Sequence, residues 1–147
     1  MSIEWNDSLI TGIRELDRYN KDFYLRLNSL IDAANRGKGQ TELPNMMDFL
    51  EMYVNKYLPL QEEYMKNYGY IKHMQHCSVQ NLFRQSFKVL NIEFKRGSTS
   101  SLLVLKINKL LINWLISHIN TEDVEFTTFI RSVMSVKNNL DKKEQVL

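Results

Sequence analysis

Residues 71–95 read IKHMQHCSVQNLFRQSFKVLNIEFK, and one stripe within them decides the fold. His73, His76, Gln80, Phe83, Phe87, Leu90 and Phe94 recur at spacings of three and four, the period of one helical face. The first three members are polar and the last four apolar. A helix that turns this face inward has a polar inner end and a greasy inner end. Arg96-Gly97 stops it, because glycine tolerates the left-handed backbone that closes a helix.

Upstream lie two more helices. One runs from about Ile13 to Arg36 with the stripe Leu16, Phe23, Leu27, Leu30, Ala34. Asn20 fills the gap between Leu16 and Phe23, where a polar side chain is either buried and hydrogen-bonded or part of a site. The next starts near Thr41 to Pro44, with Thr41 as its cap, and carries Met46, Leu50, Tyr53, Tyr57, then Leu60 or Gln61, then Tyr64 and Tyr68. Pro59 lacks the N–H that would bond back to Asn55, which predicts a kink or break there. Residues 1–12 read as an arm pinned by Trp5, Leu9 and Ile10.

Downstream, Ser98, Thr99 or Ser100 caps a helix with the stripe Leu103, Ile107, Leu110 or Leu111, Trp114, His118. Asp123 follows His118 by five residues, which on an unbroken α-helix turns it about 140° away. Thr121 offers an N-cap, so the chain is expected to stop near Ile119 and restart as a short fifth helix over roughly 122–138. Such a junction lets the histidine and the carboxylate converge. From these residues alone, the pair is either a metal site or a buried hydrogen bond pinning the junction.

The predicted class is all-α: an antiparallel up-down-up-down four-helix bundle with an N-terminal arm and a short fifth helix. It forms one domain over residues 1–138, with a charged tail at 139–147. In that topology Asn20, Tyr57, Gln61, His76, Gln80 and His118 fall at one end, with Asp123 just beyond. Four independent stripes interrupted in one layer favour a former or present site over a scattered core histidine. His73 lies nearer the bundle end and reads as half-exposed, and Cys77 points about 100° from His76 and reads as packing.

Composition narrows the function. A net charge of +2, scattered along the chain, does not suggest nucleic acid. One cysteine fits a reducing compartment, and the first residues show no signal-peptide pattern, so a cytoplasmic location is expected. The apolar run Leu102 to Ile119 is broken by Lys106 and Lys109, and no membrane span is expected. No nucleophilic triad or phosphate loop suggests an enzyme.

Laid out this way, residues 3–130 resemble a bacterial hemerythrin. The signs are Trp5, Thr11-Gly12-Ile13 with Leu16-Asp17, Gln61-Glu62 with Met65 and Tyr70, His76, and Trp114-Leu115 with His118-Ile119 and Asp123. The resemblance implies a four-helix bundle that binds dioxygen reversibly at a non-haem di-iron centre held by five histidines and two bridging carboxylates. Of those ligands, it carries over onto His76, His118 and Asp123. At the other four positions stand Asn20, Tyr57, Gln61 and Gln80. Glu62 could replace Gln61 only if Pro59 shifts the register. In the family, one iron takes its terminal histidines from the third and fourth helices and the other from the first and second. Here the second iron has lost both.

Charge bears on this too. Two divalent irons bring four positive charges against one remaining carboxylate, and burying that excess costs far more than the roughly 1–3 kcal/mol a good hydrogen bond recovers. No di-iron centre and no dioxygen binding are expected. Two readings follow. In the first, the chain is a metal-free hemerythrin-like domain with a structural or protein-interaction role, its cofactor replaced by a hydrogen-bonded polar layer. In the second, His76, His118 and Asp123 hold one divalent ion, iron or zinc, in a residual sensing role. Gln80 discriminates: as filler it bonds Tyr57 or Gln61, and as part of a metal layer it points at His76 and His118.

Overall fold

The structure, a computed structural model, describes residues 3–146; Met1 and Ser2 of the arm and Leu147 of the tail lie outside them. All regular structure among the described residues is helical. It forms a 3-10 turn in the arm (Asp7–Leu9) and four rods: α1 (Arg14–Asn35); α2 (Gly39–Met52) continued by a π-helical turn (Tyr53–Tyr57) and α3 (Leu58–Asn67); α4 (His73–Lys95); and α5 (Ser101–Trp114) continued by a π-helical stretch (Leu115–Asp123) and α6 (Val124–Val146). α1 packs along α2, both lean on α5, and α4 lies against α3 and α5.

Local chemistry sets the helix starts and stops. Asp17, in the first turn of α1, reaches back to accept from the Thr11 N–H and hydroxyl at 2.8 and 2.7 Å and from the Gly12 N–H at 3.1 Å. This satisfies donors at the helix entry and fixes the arm's angle. Gly37 takes φ +71° at the end of α1, while the Lys38 N–H reaches the Ala33 carbonyl at 2.7 Å. Ser100 caps α5, its hydroxyl accepting from the Leu103 N–H at 3.1 Å. Thr41 does not cap the second rod, which already begins at Gly39.

The core follows the stripes. Leu16, Phe23, Leu27 and Leu30 of α1, Phe83 and Phe87 of α4, and Leu103, Ile107 and Leu111 of α5 are all buried. Each such side chain contributes about 1.5–3 kcal/mol by leaving water. Ala34 and His73 are only partly buried.

At both places where the chain was expected to be interrupted, the rod carries a π segment and does not break. Pro59 does not break the second rod. The π turn just before it closes with the Leu58 N–H on the Tyr53 carbonyl, five residues back, and Pro59 then sits in the first turn of α3, where its missing N–H matters least. The rod is thereby continuous, with the one-residue shift that a π turn introduces. Gln61 is buried in the layer, while Glu62 is turned aside in an ion pair with Arg84 and does not replace it.

Nor does the chain stop at Ile119. The Thr121 hydroxyl bonds back to the Ser117 carbonyl at 2.7 Å instead of capping a new helix. The rod runs on through the π stretch, so the expected fifth helix is its continuation, helical as far as Val146. Residues 135–144 of that continuation are exposed. By length and composition alone, an 18-residue window of this rod is apolar enough to cross a membrane. In the bundle, 44% of that window is buried.

Candidate functional site in the polar layer

In a π-helix the hydrogen bonds run to the fifth residue, so residues five apart stack on one face. That is the spacing of His118 and Asp123. The π stretch therefore performs the convergence that a helix break was expected to perform, and His118 Nε2 stands 3.1 Å from Asp123 Oδ1. His76 on α4 brings its Nε2 to 3.0 Å from the same oxygen.

Gln61 joins from α3, its amide donating to Asp123 Oδ1 at 3.0 Å. With the amide placed this way its N–H meets the carboxylate and its carbonyl is left to accept from the Gln80 amide. The same Gln61 nitrogen lies 3.3 Å from the Tyr57 hydroxyl, which donates to Asn20 Oδ1 at 2.9 Å. Asn20, Tyr57, Gln61, His76, Gln80, His118 and Asp123 thus meet in one layer, none more than 2% exposed.

The electrostatics follow from burial around one carboxylate. Burial opposes ionisation of Asp123, but His118 and then His76 more than offset it and hold its pKa well below the usual carboxylate range. Burial likewise opposes a charge on His118, yet Asp123 and then Glu122 raise its pKa. Burial, and then the Asp123 charge, push the Tyr57 hydroxyl well above its ordinary value, so it stays a neutral donor.

Glu122 was not singled out in the sequence as part of the layer. Glu122 Oε2 lies 2.8 Å from His118 Nδ1, so the imidazole spans two carboxylates. The i,i+4 spacing that permits this was legible. Trp114, also four residues from His118, stacks on its ring at 3.9 Å between centroids and 18° between planes. The Trp114 indole N–H donates to the Tyr53 hydroxyl at 3.0 Å, which ties the fourth rod to the second. A cleft of about 270 Å³, lined in part by His76, Glu122, Gln75 and Thr121, opens onto the layer, with the Lys72–Glu125 ion pair on its wall.

Tyr57→Phe tests the linkage. It removes the donor that Asn20 receives while keeping the ring stacked on Tyr53 at 4.8 Å. The expected loss is about 1–2 kcal/mol of unfolding free energy, read from the urea midpoint at unchanged slope. No measurable loss would mean that the hydroxyl contributes nothing to the layer.

Comparison with known proteins agrees with this architecture. Over 131 residues the chain is 27% identical to proteins named bacteriohemerythrin from Pseudomonas aeruginosa and Pseudomonas paraeruginosa, covering 89% of this chain and 83% of theirs. No protein-family model matches. The chain is hemerythrin-like, a distant relative of the bacteriohemerythrins.

Proposed function

We propose that this protein is a hemerythrin-like bundle that no longer carries a dinuclear iron centre and does not bind dioxygen, and that it serves as a structural or protein-interaction domain. One observation carries the reading. The side chains at the positions matching the lost ligands are bonded to one another. Gln80 donates to Gln61, Gln61 to Asp123 and Tyr57 to Asn20. Gln80 behaves as filler in that its amide nitrogen donates to Gln61, while its carbonyl oxygen is left without a partner. Neutral amides and a phenol with a raised pKa are weak ligands, and a second iron would meet no histidine from α1 or from the second rod.

In this reading the rods run up-down-up-down in one domain over residues 1–138, with a charged tail at 139–147. The protein is a non-enzymatic bacterial domain of the cytoplasm that engages a protein partner rather than nucleic acid or membrane. The small, scattered charge and the single Cys77 support that placement.

Iron loading decides it. Chelated protein is given ferrous iron without oxygen and then exposed to air. Iron content should stay below two per chain, with no oxo-bridge charge-transfer band and no spectral response to dioxygen. Two irons per chain with that band would overturn the proposal.

A further inference from the structure

Half of the large apolar side chains exposed on the described surface lie between residues 82 and 116. They are Leu82, Val89 and Ile92 on α4, and Leu102, Leu105 and Ile116 on the rod that follows it, each 44–66% exposed. Two contacts set how these helices lie side by side. Lys106 meets Glu93 at 3.5 Å, and the Phe83 and Trp114 rings meet at 4.4 Å between centroids. Counting from those anchors puts Leu82 beside Ile116, Val89 beside Lys109 and Arg96 beside Leu102, with Ile92 and Leu105 between. By helical phase all six turn away from Phe83, Phe87, Ile107 and Leu111, which face the core. The result is an apolar line of about 20 Å along the outer seam, at 1.5 Å per residue. Single exposed apolar residues are ordinary, but a line of them along one helix pair marks a contact surface.

Charge says what covers it. Lysines and arginines are spread along the whole chain, but acids avoid this part of it. Residues 73–114 hold six lysines and arginines and one acid, Glu93. That balance is +5 in a chain of +2, so the remainder balances to −3. Glu93 is taken by Lys106, while Arg84 and Lys95 are tied to Glu62 and Glu51. Arg96 and Lys109, both exposed beside the apolar line, form no ion pair among the described residues. The complement of such a surface is apolar along its middle and acidic at its edges. The seam between two packed helices accepts a third helix, ridge into groove. An anionic lipid surface would call on clusters of about four to eight cations, and only Arg96, Lys106 and Lys109 border the line.

We infer that the α4–α5 seam docks an acidic amphipathic helix of a partner protein. Its apolar stripe lies on Leu82, Val89, Leu102 and Ile116, and its carboxylates meet Arg96 and Lys109. The inference rests on the interaction role proposed above and names the chemistry of the partner.

The probe is a synthetic helix of about five turns, with leucine at every third or fourth position and glutamate between, labelled with a fluorophore and titrated with the full-length protein. Saturable binding that weakens as salt rises is expected, with amide NMR shifts confined to the seam between residues 82 and 116. The same peptide with lysine for glutamate should bind about tenfold more weakly or worse. Val89→Glu should weaken the acidic peptide by about tenfold and leave the melting temperature unchanged, because that position is exposed. Arg96→Glu combined with Lys109→Glu should invert the preference, so that the lysine peptide binds better. Leu25→Glu, at an equally exposed apolar position on α1, is the control and should change nothing. No saturable binding, equal affinity for the two peptides, shifts outside the seam, or equal weakening by Leu25→Glu overturns the inference. So does binding to phosphatidylglycerol vesicles without binding to the peptide, or self-association that Val89→Glu abolishes; the seam would then belong to a lipid surface or to a second copy. None of these outcomes bears on the dinuclear centre, whose loss is tested separately by iron loading.

Discussion

Gln61→Glu should destabilise the chelated protein by about 3–5 kcal/mol at pH 7.5, the usual scale for an uncompensated charge in a buried layer. The substitution is isosteric, so packing is unchanged and electrostatics dominate. In the native protein the Gln61 amide donates to Asp123 Oδ1 at 3.0 Å. The variant places a second carboxylate at that separation, and the two cannot both ionise without strong repulsion. The only donor the new carboxylate inherits is the Gln80 amide, because Tyr57 already directs its proton to Asn20.

The pH dependence has a definite sign. The introduced acid has a folded-state pKa raised above its unfolded value of about 4.3. Its penalty is absent below that value, grows as pH rises toward the folded pKa, and is complete above it. The deficit against wild type should therefore shrink on acidification from pH 7.5 to 5. Urea unfolding at the two pH values measures it. A variant as stable as wild type at both would show that Gln61 does not face Asp123, and the filled-layer account would fail.

His118→Leu is the second large effect. The leucine keeps the volume under Trp114 but removes a ring that Glu122 bonds at Nδ1 and that stands 3.1 Å from Asp123. Asp123, 1% exposed, is left with His76 and Gln61 as partners. A loss on the order of 2–4 kcal/mol is expected in chelator. Most of it should come from the stranded carboxylate rather than from the lost contact. Adding Asp123→Leu should then recover part of the deficit, since replacing a buried pair by apolar groups is often neutral while breaking it is not. If the double variant is as unstable as the two single losses summed, the charge account is wrong and packing is responsible.

The four stripes were legible because burial along a helix follows a fixed period. Leu16, Phe23, Phe83, Phe87, Leu103 and Ile107 could be placed inside without knowing their partners. The layer was legible for the same reason, as polar interruptions at matching depths. The means of assembling it was not. Pro59 and Thr121 are local signals for a break or a cap, and local signals are all that propensity records. Whether a helix breaks or widens to a π turn depends on what the widened turn brings into contact. At Tyr53–Tyr57 the π turn seats Tyr53 against the Trp114 indole and keeps Gln61 facing Asp123. At Leu115–Asp123 it stacks His118 over Asp123.

By itself, then, the sequence determined the helical class, the inward faces and the identity of the seven layer residues, because those depend on period and polarity within each segment. Only the tertiary structure decided the hydrogen-bond register of the two π segments, the Gln80–Gln61–Asp123 and Tyr57–Asn20 bonds, and the role of Glu122 beside His118. Those depend on side chains from different rods meeting at distances near 3 Å, and no periodicity within one rod encodes the separation between two.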